Sequence, residues 1–271
     1  MDTPSIPRPQ LAVLLASGHH TDIGQVRKIN QDSLLVMEMD KVNQSMPSPL
    51  GLYVVADGLG GYEGGEIASG LVVTAIASLA QADLFNSFIG GALDEAATKT
   101  WLQLAVKRAN EAVVEKRTGA NSEMGSTLVM AVVNGLNVCL AHVGDSRAYR
   151  LNSSGELERL TYDHSLVEEL VKAKQLTPAQ AKSHNLGSLV YKTIGNKEEV
   201  EPDVQSVELE PGDRLILCCD GLNGMISDEQ IAAIAHAAPT PAEAAHRLVT
   251  AANEAGGRDN ITAIVVEISI R

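Results

Sequence analysis

The chain has 271 residues, 45% of them apolar and only 3% aromatic, with a formal net charge of −13. That acidity argues against a nucleic-acid partner, because phosphate backbones are gripped by basic patches. No run of residues reads as long and apolar enough to cross a membrane. The three cysteines, Cys139, Cys218 and Cys219, sit in apolar runs without framework spacing, so they read as small buried thiols in a reducing compartment. Residues 1–10 carry Pro4, Pro7 and Pro9 and read as a flexible arm. The run Leu11–Ala16 is too short for a secretory leader and reads as a first strand, 11–17. Further strand-like runs follow at 33–39, 51–56, 126–133, 136–143, 147–151, 204–209, 213–219 and 261–268. Helical periodicity spans Glu66–Leu79 through Ile67, Leu71, Val72, Ala75, Ile76 and Leu79. It spans 91–117 through Leu93, Ala97, Trp101, Leu104, Ala105 and Val113, which puts Trp101 on a core stripe. Helix starts are written at Thr177-Pro178-Ala179-Gln180, Ser227-Asp228-Glu229-Gln230 and Thr240-Pro241-Ala242-Glu243. Strands and helices cluster instead of alternating, which favours an α+β fold with antiparallel sheets. The polar stretch 161–197 reads as a mobile insertion.

Two segments carry the chemistry. Residues 53–61 read Tyr-Val-Val-Ala-Asp-Gly-Leu-Gly-Gly, and residues 216–224 read Ile-Leu-Cys-Cys-Asp-Gly-Leu-Asn-Gly. Each is a short apolar run that ends in Asp-Gly, with a carboxylate at the strand's exit. Asp-Gly is also a common hairpin turn. Hairpins do not account for the surplus glycines Gly60, Gly61, Gly64 and Gly65. Nor do they account for two further aspartates in similar settings, Asp145 after one apolar run and Asp259 before another. Asp57, the Gly58 carbonyl, Asp145, Asp220 and Asp259, with Asp32 nearby, form an oxygen-only donor set. Such a set suits Mg²⁺ or Mn²⁺ and not zinc or copper. Two such ions would lower the pKa of a shared water and steady the charge of an in-line displacement at phosphorus. Arg27 offers a planar fork for phosphoryl oxygens; read alone, it is a surface arginine, and Asp22 a turn or cap residue. Asp145 has an alternative too, as a cap on local backbone N–H groups or a partner of Arg147.

These residues fall into an ordered series. It runs Asp22-Ile-Gly-x-Val-Arg27-x-x-Asn30-Gln-Asp32, then Val55-Ala-Asp57-Gly58-x-Gly60-Gly61-x-x-Gly64-Gly65-Glu66. Gly125-Ser-Thr127-Leu, Val143-Gly-Asp145-Ser-Arg147-x-Tyr149 and Asp163-His164-Ser165-Leu166 come next. Cys219-Asp220-Gly221-Leu222 and Gly257-Arg-Asp259-Asn260-Ile-Thr262 close it. In this the chain resembles the metal-dependent Ser/Thr protein phosphatases of the PP2C (PPM) type, in their short bacterial form. The resemblance implies a sandwich of two antiparallel β-sheets flanked by helix pairs. It implies one domain over 11–271, with 161–197 as its flap. It implies two tightly bound Mn²⁺ or Mg²⁺ ions and a third, weakly held one. By motif, Asp57 would bridge two ions, the Gly58 carbonyl would bind one, and Asp220 and Asp259 would complete the other. Asp32 would hold metal-associated water, and Arg27 would grip the phosphoryl group. Asp145 with Asp220 would offer the third site.

The expected activity is hydrolysis of phosphoserine and phosphothreonine in proteins, by a metal-activated water attacking phosphorus directly. The expected setting is a cytoplasmic monomer that opposes a cognate kinase, with no nucleic-acid or membrane partner. A non-catalytic phosphoprotein-binding module and a hydrolase of small phosphate esters are the rivals. The chain departs from the pattern at Leu59 and Tyr62, where many bacterial relatives have Met and His, and where animal relatives have an acid-assigned His at the position of Leu59. Tyr62 is a poor proton donor near neutrality. His164 does not compel as a substitute, and His142, in an apolar strand, is expected to bond a core partner.

Overall fold

The computed structural model describes residues 12–43, 46–60, 64–117, 123–177, 180 and 189–271. The N-terminal arm, Tyr62 and most of the helix expected after Thr177 lie outside them. Two antiparallel sheets face each other. The first orders β1 (Val13–Asp22), β11 (Ile261–Ile270), β10 (Arg214–Cys218), β7 (Arg147–Leu151) and β8 (Leu157–Arg159). The second orders β2 (Asp32–Asn43), β3 (Met46–Leu59), β5 (Leu128–Asn134), β6 (Asn137–Val143) and β9 (Asp203–Glu208), with the short β4 (Gly125–Ser126) paired to the end of β3.

The apolar runs are continuous because the inner strands are buried on both faces. Along β3, Tyr53 and Val55 enter the layer between the sheets, while Leu52, Val54 and Ala56 face helices. Along β10, Leu215 and Leu217 face inward, while Ile216 and Cys218 face the opposite helix layer. The helices α1 (Gly64–Leu79), α2 (Phe85–Ile89) and α3 (Glu95–Lys116) cover the second sheet. Trp101 is buried on the α3 stripe. The helices α6 (Asp228–Ala237) and α7 (Pro241–Glu254) cover the first sheet. Both begin as the sequence reading expects: Ser227 and Gln230 form a capping box, and Thr240 caps a helix with Pro at its start. The short α4 (Leu166–Lys172) and α5 (Asp220–Asn223) complete the described elements.

One expectation is corrected here. A π-helical turn at Ala80–Leu84 joins α1 to α2, making a 26-residue helical stretch, Gly64–Ile89, long and apolar enough by length and composition to cross a membrane. In this fold its Ala68, Val72 and Ile76 pack into the core of the second sheet.

Candidate metal centre

The two Asp-Gly pairs are not hairpin turns. Asp57 and Gly58 lie within β3, where Asp57 sits opposite Asp32 and Gly58 opposite Ser126. Asp220 and Gly221 open α5, directly after β10. Neither glycine has positive φ; each is required by close approach. A Cβ on Gly58 would lie 2.1 Å from the carbonyl oxygen of Gly65, and one on Gly221 would lie 1.9 Å from that of Asn260. The sandwich therefore brings both strand ends, and both carboxylates, to one end of the molecule.

The backbone of Asp57 is pinned on both sides. Its carbonyl accepts from Thr127 N at 2.8 Å and Ser126 Oγ at 3.0 Å, and its N–H donates to Thr127 Oγ1 at 3.1 Å. Asp32 Oδ2 accepts from Thr262 Oγ1 at 2.6 Å, and Thr262 is bonded to Thr21 Oγ1 at 2.8 Å. This places one carboxylate of the second sheet on two strands of the first. Donor atoms of Asp32, Asp57 and Cys219 lie within 4.8 Å of one another. Cys219 donates its thiol proton to the Asn260 carbonyl at 3.4 Å, and its sulfur accepts from Thr262 N at 3.1 Å. Burial raises that thiol well above its ordinary pKa, so it stays protonated and the effective donors are oxygens.

Like charges are crowded here. Burial, then neighbouring carboxylates, hold Asp57 well above the usual carboxylate range. Burial raises Asp32 to about 7, and burial with the charge of Asp220 raises Asp145 to about 8. Burial and Asp259 raise Asp220. Asp32 Oδ1 and Asp220 Oδ1 are buried with no hydrogen-bond partner among the described residues. Buried carboxylate oxygens without partners are costly. A divalent cation held by oxygen ligands supplies what they lack, so the residues fit Mg²⁺ or Mn²⁺.

Arg27 lies on the loop between β1 and β2. Its Nη2 donates to Asp259 Oδ2 at 2.6 Å, and both side chains are partly exposed. Asn260 shapes that loop: its Nδ2 donates to the carbonyls of Ile23 and Ile29, each at 2.9 Å, and its Oδ1 accepts from Gln31 N at 2.8 Å. Asp22, the last residue of β1, caps the following turn, accepting from Gly24 N and from Asn253 Nδ2. Asp145 does not take Arg147, which forms a two-bond pair with Asp163 instead.

His142 differs from expectation. Its Nε2 is buried without a partner among the described residues, its ring stacks on His164 at 4.7 Å, and burial lowers it to about 3. His164 accepts from Gly144 N at Nδ1 and faces Asp203 through Nε2. Sequence reasoning gave no individual role to Thr21, Thr127, Asn260 or Thr262. All four are uncharged, and their partners are distant in sequence.

A family model for protein phosphatase 2C matches residues 25–256. The protein phosphatase PhpP of Streptococcus pneumoniae is 35% identical over 251 residues, covering 92% of this chain and 96% of that one. The solved serine/threonine phosphatase of S. agalactiae superposes with a TM-score of 0.80 at 35% identity, covering 94% of this chain and 99% of that one. The catalytic domain of the serine/threonine protein phosphatase PstP, solved with two manganese ions, superposes with a TM-score of 0.78 at 33% identity, covering 95% and 100%. Sequence coverage, shared architecture and the carboxylate cluster agree, and the chain belongs to the protein phosphatase 2C family.

Proposed function

We propose that this chain removes phosphate from phosphoserine and phosphothreonine in proteins, in the cytoplasm and as a monomer, and opposes a cognate kinase. The observation that carries the reading is the cluster of half-buried carboxylates gathered where the two sheets end, with one buried oxygen each of Asp32 and Asp220 lacking a partner among the described residues. Asp57 would bridge two divalent ions, with the Gly58 carbonyl on one and Asp220 and Asp259 on the other. Asp145, beside Asp220, would serve a third and weaker ion, and Asp32 would orient water. When bound, the ions activate water and neutralise phosphoryl charge in an in-line displacement. Arg27 would hold the phosphoryl oxygens in bidentate fashion. Its contact with Asp259 is exposed and therefore weak, so an incoming phosphate can draw the guanidinium away at low cost. The stretch 161–197 would form a flap beside the site. No cysteine is placed to act as a nucleophile, since all three are buried thiols. On this reading the activated water attacks phosphorus directly.

The test is a phosphopeptide assay on chelated protein with single metals added back. Activity should vanish in chelator and return with Mn²⁺ or Mg²⁺, whereas Ca²⁺, which favours looser and higher coordination, should support it poorly. Full turnover by protein shown to be metal-free would sink the proposal. Turnover of small phosphate esters with none of phosphopeptides would move it to the small-ester class.

A further inference from the structure

Three segments that bear on the carboxylate cluster meet at one buried guanidinium outside it. Arg147 opens β7, two residues after Asp145. Its Nε and Nη2 donate to the two oxygens of Asp163 at 2.9 and 2.7 Å, and the side chains are only 16% and 11% exposed. Asp163 stands at the entrance to the stretch 161–197, and Arg159 Nη2 holds it a second time at 2.9 Å. The other edge of Arg147 faces Asn223, the last residue of α5. With its amide oxygen turned toward Arg147, Asn223 accepts from Nη1 at 3.0 Å, and it also lies 2.9 Å from Nε, whose single N–H is shared with Asp163. Its NH₂ then donates to the carbonyls of Cys219 at 3.0 Å and Asp220 at 3.2 Å. The opposite assignment sets donor against donor and acceptor against acceptor, so the first is the one the network selects.

The result is a continuous chain of hydrogen bonds: Asp163, Arg147, Asn223, then the backbone of Asp220. Arg147 is too buried to touch a substrate. The Asp220 carboxylate has one buried oxygen with no partner among the described residues, so its aim depends on the backbone that carries it. We infer that Arg147 and Asn223 are positioning residues that set the direction of Asp220 and couple the flap entrance to metal affinity. This rests on the phosphatase reading above for the role of Asp220. Coupling is reciprocal: whatever the docked entrance adds to metal binding, bound metal adds to docking of the entrance.

Asn223→Ala is the informative variant, because it cuts the chain while leaving the Arg147–Asp163 pair intact. Arg147→Lys is its companion, since it keeps the charge and loses the planar fork. Three measurements on the full chain suffice. These are Mn²⁺ binding followed by the electron paramagnetic resonance of free Mn²⁺, KM for a phosphopeptide, and hydrogen exchange at residues 161–172 with and without Mn²⁺. In Asn223→Ala the Mn²⁺ Kd should rise roughly tenfold, at the low end of the ~10–100-fold typical of residues that orient metal ligands. KM for the phosphopeptide should stay within about twofold. Mn²⁺ should slow exchange at 161–172 in the wild type, and do so much less in either variant. A merely structural role would lower Tm and leave the Kd unchanged. Wild-type Mn²⁺ affinity in Asn223→Ala overturns the inference, as does weakened binding with Mn²⁺-dependent protection of 161–172 intact. A wild type that binds Mn²⁺ yet does not turn over phosphopeptide sinks the phosphatase reading instead, and leaves the coupling measurement valid.

Discussion

Stripped of metal, the protein should lose stability as pH rises from 6.5 to 8. Burial, with the charge of Asp220, pushes Asp145 to about 8, and burial pushes Asp32 to about 7, whereas carboxyls in the unfolded chain ionise near 3.8. The folded state thus keeps protons that the unfolded state has already released. Its advantage is present at low pH and drains away as pH rises through the folded values. An opposing effect acts below 6.5. Burial lowers His142 to about 3 and lowers His164 as well, so acid favours the unfolded chain, whose imidazoles protonate near 6.5. From 6.5 to about 7.5 the residual protonation of the unfolded imidazoles offsets part of the carboxylate effect, and above that the imidazoles are neutral in both states. Across the window Asp145 by itself accounts for about 2 kcal/mol, at about 1.4 kcal/mol per pH unit for one proton. For a chain of this size that is roughly 4–8 °C in Tm. A divalent ion takes the place of the protons, so excess Mn²⁺ should raise Tm and flatten its pH dependence. The assay is thermal unfolding in chelator and in Mn²⁺, in half-unit pH steps at constant ionic strength. A metal-free Tm that holds level or climbs across the window, or a Tm indifferent to Mn²⁺, refutes the reasoning.

Other perturbations separate the roles of single residues. Asp57→Asn should abolish turnover of a phosphopeptide, while Arg27→Ala should keep Mn²⁺ stoichiometry and lose about 1.5–3 kcal/mol in kcat/KM, mostly through KM; unchanged kinetics would return Arg27 to the surface. Asp145→Ala should cut kcat and spare the two tight ions. In chelator at pH 8 it should also raise Tm, because a buried like charge is gone; a destabilised but fully active variant would remove Asp145 from the site. Gly221→Ala sets a Cβ 1.9 Å from the Asn260 carbonyl, which is backbone and cannot swing aside. It should cost about 1–3 kcal/mol in denaturant unfolding and weaken Mn²⁺ binding together.

The parts of the fold that were readable from sequence are those buried on two faces. β5 and β10 carry unbroken apolar runs, Leu128–Val133 and Leu215–Cys218, and they appear where the runs are. β1 runs past the expected end at residue 17 because His19, His20 and Thr21 still pair with Ile264, Ala263 and Thr262 of β11. A strand with polar side chains gives no such run. β8, three residues with Glu158 and Arg159, was invisible for the same reason, and α4, at seven residues, is too short to establish a helical period. The aspartates were legible because each adjoins an apolar run. Thr262 and Asn260 have no comparable mark: their partners Asp32 and Gln31 lie 230 and 229 residues away. His142 shows the limit of residue-type reasoning, since its environment supplies a stacked ring in place of a hydrogen bond at Nε2.

Asp32 and Asp57 lie on strands of the second sheet, Asp220 and Asp259 adjoin β10 and β11 of the first, and Asp145 lies on the connection from β6 to β7. The two halves of the centre are thus held apart by the inner layer, including Val55, Val129, Leu217 and Ile264. That layer works as a calliper. On the metal assignment proposed above, its thickness would set the gap that an ion must fill. Mg²⁺ requires oxygens at about 2.0–2.1 Å, and Ca²⁺ accepts about 2.3–2.6 Å. Protein interiors transmit a change of one methylene because they have little free volume. Ion preference is therefore adjustable from positions that never contact an ion. A library confined to those four inner residues, with every aspartate untouched, should contain variants shifted between Mg²⁺, Mn²⁺ and Ca²⁺.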